Sequence, residues 1–255
     1  MEEFKKFVEI VKKLRKPDGC PWDIKQTPAS ICPHLIEESY EIVDAVQNKD
    51  TANLKEEIGD TLISLVMLAN MAEEKGHFNI QEVLNEVTEK LVRRHPHVFA
   101  DTKVAGVKDV LKNWEQIKKQ EKEAHVSAMD SVPKSLPALM QAQNIQKKAA
   151  RLGFDWDNAE APLDKIAEEI QETKHELAQK IQNKDKLSEE IGDIFFSVVN
   201  FARKLDLDSE EILKKANKKF SNRFKKIESE INKQGKNFQD YNLAELEELW
   251  QKAKK

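Results

Sequence analysis

The chain has 255 residues, 39% hydrophobic and 35% charged, against about 25% charged in an ordinary soluble domain, so a core is available under an unusually ionic surface and a disordered chain is excluded. Its 42 basic and 46 acidic side chains leave a net charge of -4, which argues against stable binding along a nucleic-acid backbone. No run approaches the roughly 18–20 apolar residues that span a bilayer, and Cys20 and Cys32 make neither a disulfide framework nor a four-thiolate zinc site. A soluble cytoplasmic protein with no membrane partner is the expectation.

The first predicted element, MEEFKKFVEIVKKL, is an amphipathic helix and lacks the unbroken apolar stretch of a signal peptide. A loop, Gly19-Cys-Pro-Trp-Asp23, leads to a helix over 31–47 with Leu35, Ile36, Val43 and Val46 on one side. That helix carries Glu37-Glu38-x-x-Glu41. The next, over 54–74, opens on Glu56-Glu57-Ile-Gly-Asp60 and continues with Ile58, Leu62, Leu65, Val66 and Ala69 at helical spacing. It is apolar nearly all round between 61 and 69, which predicts a central place in a bundle. Lys90-x-x-x-Arg94 follows, then His95 and His97 about a helix-ending proline, which read as capping or packing residues ahead of general bases, and Trp114-x-x-x-Lys118.

The polar, proline-bearing stretch HVSAMDSVPKSLP then separates two halves, and the same signals return in the same order. LKEEIGDTLISLVMLAN from residue 54 and LSEEIGDIFFSVVNFAR from residue 187 agree at nine of seventeen positions without a gap. Gly153-Phe-Asp-Trp-Asp157 repeats the first loop, Glu168-Glu169-x-x-Glu172 the first acidic helix, and Ile191, Phe195, Val198, Val199 and Ala202 the apolar stripe. Lys219-x-x-x-Arg223 and Trp250-x-x-x-Lys254 complete the copy. Duplication of one helical module predicts an all-α fold with two tandem helical bundles. The modules are 1–125 and 137–255, with a linker over 126–136.

Residues three apart share a helix face, so Glu38 with Glu41 and Glu57 with Asp60 form two carboxylate pairs. Antiparallel packing of their helices would gather all four; Glu169, Glu172, Glu190 and Asp193 do the same in the second half. Carboxylates so gathered repel one another unless a proton or cation intervenes. Hard oxygen ligands without His or Cys at matching spacing point to Mg²⁺, with Mn²⁺ as substitute, and the missing Glu-x-x-His sets a di-iron centre aside. Gly59 and Gly192 beside these pairs read either as clearance for helix approach or metal access, or as tight packing. Lys219 with Arg223, and Lys90 with Arg94, present a cationic helix face suited to phosphate, which is also what a solvated surface looks like. Trp250 and Trp114 fit base stacking or helix anchoring alike.

The segments GCPWDIKQT, EESYEIVDA, EEIGD, KLVRRHPHVFAD, WEQIK and SLPALMQAQNIQKKAARLGFDWD together resemble full-length bacterial MazG over essentially the whole chain. The resemblance implies an all-α pyrophosphatase fold assembled as a homodimer. It also implies Mg²⁺-dependent hydrolysis of canonical and noncanonical nucleoside triphosphates to monophosphate and pyrophosphate, in nucleotide-pool sanitation and the stress response. By motif it assigns metal to Glu169, Glu172, Glu190 and Asp193, with Glu168 and Glu189 as neighbours. It assigns the nucleotide to Lys219, Arg223, Trp250 and Lys254. The first half keeps Glu38, Glu41, Glu57 and Asp60 for metal and Lys90, Arg94, Trp114 and Lys118 for nucleotide. In some relatives the first domain is silent, so the second half is the favoured site. Two rivals are a narrower all-α pyrophosphatase, usually a single module, and a non-enzymatic helical scaffold.

Overall fold

A computed structural model describes residues 2–121, 127–179 and 181–254. The expected module boundary at 125/126 lies outside the described residues. Two compact units, Met1–Trp114 and Glu115–Lys255, divide the chain. Among the described residues there is no strand.

The first unit contains α1 (Glu2–Leu14), α2 (Pro21–Lys25), α3 (Pro28–Asn48), α4 (Thr51–Glu74), α5 (Ile80–Arg94) and the short α6 (Pro96–Phe99); α7 (Val107–Glu121) runs across the division. The second has α8 (Ala138–Arg151), α9 (Glu160–Leu177), α10 (Lys184–Lys204), α11 (Ser209–Lys233) and α12 (Leu243–Ala253). The acidic helices begin and end on local chemistry. Thr27 and Ser30 form a capping box at the head of α3. Lys49 turns the chain in the left-handed region at φ 56°, and the Asp50 carboxylate accepts from the Ala52 and Asn53 amides to start α4. A two-residue connection leaves α3 and α4 no option but antiparallel contact. α9 and α10 are the matching pair, with Asn183 capping α10.

The core of the first unit is Val8, Val11, Ile31, Val66, Met67 and Met71, with Phe4, Phe7, Leu68 and Ile80 against it. In the second unit Val132, Val199, Ala202, Ile227 and Ile231 are buried. This corrects the expectation that α4 is enclosed all round. Val66 and Ala69 are buried, whereas Ile58, Leu62, Ile63 and Leu65 remain exposed. Of the apolar side of α3, Leu35 is half-buried and Ile36, Val43 and Val46 are exposed, while Ile31 and Ala45 are buried. In α10, Ile191, Phe195 and Val198 stay exposed beside buried Val199 and Ala202. One face of each long helix suffices for its own small bundle, and the second apolar face is left over.

The glycine expectation also changes. A Cβ at Gly59 or Gly192 would meet nothing within 4 Å outside the helix backbone, so neither close helix approach nor tight packing keeps them there. Gly19 is the position that cannot carry a side chain. Its Cβ would stand 2.3 Å from the Leu14 carbonyl oxygen, which the Cys20 amide also uses at 2.8 Å. Gly19→Ala is expected to cost about 1–3 kcal/mol through forced backbone movement, read as a Tm lowered by several degrees. An unchanged Tm would mean that the turn relaxes freely.

Candidate active site

In the first half, α3 presents Glu38 and Glu41 and α4 presents Glu57. One carboxylate oxygen from each lies within 4.8 Å of the other two. In the second half the same happens between Glu169 on α9 and Glu190 and Asp193 on α10. Around one Mg²⁺, ligand oxygens about 2.1 Å from the ion stand roughly 3–4 Å apart, so each cluster needs only slight contraction. Glu57 and Glu169 are buried, the latter 3% exposed, and Glu169 Oε2 has no hydrogen-bond partner. A buried carboxylate oxygen left unpaired is costly unless a cation or proton reaches it. The fourth expected member of each set stands just outside its cluster. Asp60 is half-buried and bears on Glu38 by its charge, and exposed Glu172 bears on Glu190 by charge and hydrogen bond. Glu189 is exposed at the rim.

The expected cations of the second half share one cavity. Lys219, Arg223 and Lys254 line about 390 Å³ together with Lys215, Lys218 and Lys226, and among the described residues no carboxylate lines it. Trp250 anchors its wall: its ring centroid lies 4.9 Å from Phe220, and the Arg223 guanidinium carbon sits 5.8 Å from it. In the first half Lys90 is exposed and Arg94 half-buried, while the Trp114 ring lies 5.5 Å from His95, whose Nδ1 approaches the Leu91 carbonyl at 2.7 Å. Lys118 lines a different cavity, with Lys147, Lys148 and Arg151, that none of Lys90, Arg94 and Trp114 enters.

The MazG nucleotide pyrophosphohydrolase domain model matches twice, at residues 26–99 and 158–227, each match holding one carboxylate cluster. The chain belongs to the MazG family. A MazG relative in Escherichia coli strain K12, named nucleoside triphosphate pyrophosphohydrolase, is 43% identical over 100% of this chain and 98% of its own. Another in Thermotoga maritima, named nucleoside triphosphate pyrophosphohydrolase/pyrophosphatase MazG, is 43% identical over 98% of this chain and 95% of its own.

The two MazG clusters solve their charge problem differently. Burial, then the hydrogen bonds and charges of Glu38 and Glu41, push the Glu57 carboxyl up to about 7. Burial raises Glu38 as well, opposed by its bond with Glu57 and reinforced by the charges of Glu41 and Asp60. In the second half burial and the charge of Glu172 raise Glu190, but an ammonium intervenes. Lys165 Nζ lies 2.7 Å from Glu169 Oε1 and 2.9 Å from Glu168 Oε1, and these bonds raise its own pKa. The sequence reading passed over Lys165; its place four residues before Glu169 was the available signal.

The raised Glu57 carboxyl has a consequence for stability. Its folded-state pKa lies above the ordinary 4.5. That contribution is therefore complete below about pH 4.5 and lost as pH rises through about 7. Without divalent ions the chain is expected to melt at a lower temperature at pH 8 than at pH 6, with Mg²⁺ restoring more at pH 8. Glu57→Gln should shrink the difference; a melting temperature indifferent to pH and Mg²⁺ in this window would contradict it.

Proposed function

We propose that this chain hydrolyses nucleoside triphosphates to nucleoside monophosphate and pyrophosphate with Mg²⁺, Mn²⁺ serving as substitute. The observation that carries the reading is the repeated cluster: three carboxylates from two adjoining helices, one of them buried, at the same motif in both halves. The names of the full-length relatives support the same reaction.

Glu169, Glu190 and Asp193, with Glu172 at their edge, would hold Mg²⁺ in the second half. Bound there, the ion supplies a Lewis acid and offsets charge on the phosphates. Glu172, exposed beside the cluster, accepts the proton of the attacking water. The water oxygen bonds to the α-phosphorus as the bond to the bridging oxygen breaks, and pyrophosphate leaves. Lys219, Arg223 and Lys254 bind the phosphates and offset the charge that gathers on the leaving group. Lys165 holds the buried Glu169 in place until the ion enters. Glu38, Glu41, Glu57 and Asp60 offer the first half the same chemistry, with Lys90, Arg94 and Trp114 as its nucleotide side. We read residues 1–125 and 137–255 as separate modules and the second as the principal site.

The substrates proposed are canonical and noncanonical ribo- and deoxyribonucleotides, in cytoplasmic nucleotide-pool sanitation and the stress response. No helix among the described residues is long and apolar enough to cross a membrane. A homodimer is proposed because Ile36, Val46, Ile58, Leu62 and Leu65 leave an apolar surface on the carboxylate helices themselves. The decisive experiment incubates the intact chain with a panel of triphosphates, with Mg²⁺ or with chelator, and separates the products. Monophosphate with pyrophosphate is expected; diphosphate with orthophosphate would overturn the reading.

A further inference from the structure

An arginine pins the loop ahead of the carboxylate helix in both halves, and it comes from opposite walls. In the first half it is Arg15, just past the end of α1. Its Nη1 donates to the Asp23 carbonyl at 2.6 Å and the Gln26 carbonyl at 3.2 Å, while Nε and Nη2 hold both oxygens of Glu74 at 2.8 Å. In the second half it is Arg203, near the end of α10. Its guanidinium reaches both oxygens of Asp155, at 2.5 and 3.2 Å, and the Asn200 side-chain oxygen at 2.7 and 2.9 Å. Lys204 adds bonds to Asp155 and to the Trp156 carbonyl. Both arginine side chains are about nine-tenths buried, at 9% and 10% exposure.

The matched positions are exchanged one for one. Aligning Trp22 with Trp156 sets Arg15 against Ala149 and Pro21 against Asp155. Aligning Glu57 with Glu190 sets Asn70 against Arg203 and Glu74 against Leu207. Neither half keeps the other's contacts, yet both keep a five-donor planar fork on the same loop. Asn70, with both amide atoms buried and unpartnered, marks the place in the first half where the second half carries its arginine.

We infer that Arg15 and Arg203 are positioning residues of the hydrolytic sites, each fixing the loop from which its carboxylate helix starts. In the first half the pinned loop runs through α2 into the Thr27 capping box, and the Trp22 ring lies 6.3 Å from His34, one turn before Glu38. In the second it leads to Asn158, whose side chain accepts from the Glu160 and Ala161 amides to start α9. Lys165, which grips Glu169, stands one turn further on. The inference rests on the proposed hydrolysis for its kinetic consequence only.

The test uses the intact chain with the first half silenced by Glu38→Ala and Glu57→Ala. Arg203→Asn is expected to speed amide hydrogen exchange over residues 153–161 and to lower kcat/KM for a triphosphate about tenfold, mainly through KM. Mg²⁺ affinity by calorimetry should be unchanged, because the packing of α9 on α10 sets the cluster. Asp155→Asn, which keeps shape and removes charge, should move both readouts the same way by less. Adding Ala149→Arg and Leu207→Glu to Arg203→Asn moves the arginine to the first half's wall and should restore both. Exchange unaltered in Arg203→Asn and Asp155→Asn, or Mg²⁺ binding lost along with activity, would overturn the positioning role. A wild-type chain that releases no pyrophosphate would sink the enzymatic reading alone, since hydrogen exchange reads the latch without turnover.

Discussion

Glu169→Ala with Asp193→Ala, in a chain whose first half is silenced by Glu38→Ala and Glu57→Ala, is expected to lower pyrophosphate release by at least about a thousandfold. The magnitude follows from the several kcal/mol of charge stabilisation that a bound divalent ion contributes, each 1.4 kcal/mol being tenfold in rate. Glu169 contributes a buried oxygen with no other partner, and Asp193 a second oxygen of the same cluster. Removing carboxylates from a group of like charges relieves repulsion in the metal-free chain, while Glu169→Ala also gives up the Lys165 ion pair, so activity is read beside the melting temperature. Melting temperatures equal to or above wild type would separate lost chemistry from lost fold. Silencing each half alone then apportions the activity. A quadruple variant that keeps wild-type rate would remove the clusters from the reaction altogether.

Arg223→Ala should raise KM for a triphosphate by roughly ten- to a hundredfold, since a charge-assisted hydrogen bond to phosphate contributes about 1.5–3 kcal/mol. The position is informative because the guanidinium does two things: it lines the cationic cavity and lies over Trp250. Arg223→Lys keeps the charge but gives up the fork and the planar contact, so it should recover only part of the loss. Lys219→Ala, at the exposed edge of the same cavity, should have a smaller effect that weakens further as salt rises. If Arg223→Ala leaves KM untouched, the cavity is not where the phosphates lie.

The carboxylate pairs were readable before any fold because they depend on helix pitch alone. Glu38 with Glu41 and Glu190 with Asp193 are three apart on their helices, and the repeated EEIGD showed that the pattern was no accident of a Glu-rich surface. The apolar stripes were also visible, but not which of them would be covered. Val66 and Leu65 are neighbours of similar hydropathy on α4, one at 1% exposure and the other at 45%. Periodicity counts apolar residues and does not count the faces available to cover them, so it overestimated how much of α4 a bundle this small could enclose. Lys165 was legible too, four residues before Glu169 on one helix, and was passed over among many lysines.

What the sequence determined by itself was local or repeated: helices throughout, two copies of one unit, paired acids at the head of each unit's apolar helix, and family membership. Tertiary structure decided which three acids of each four share a cluster, that Glu57 is buried against Glu38 and Glu41, and that Arg15 and Arg203 reach one loop from opposite sides. Those outcomes depend on distances between side chains far apart along the chain. Such distances are fixed only once helices pack, because pitch sets spacing within an element and nothing in pitch sets the gap between two.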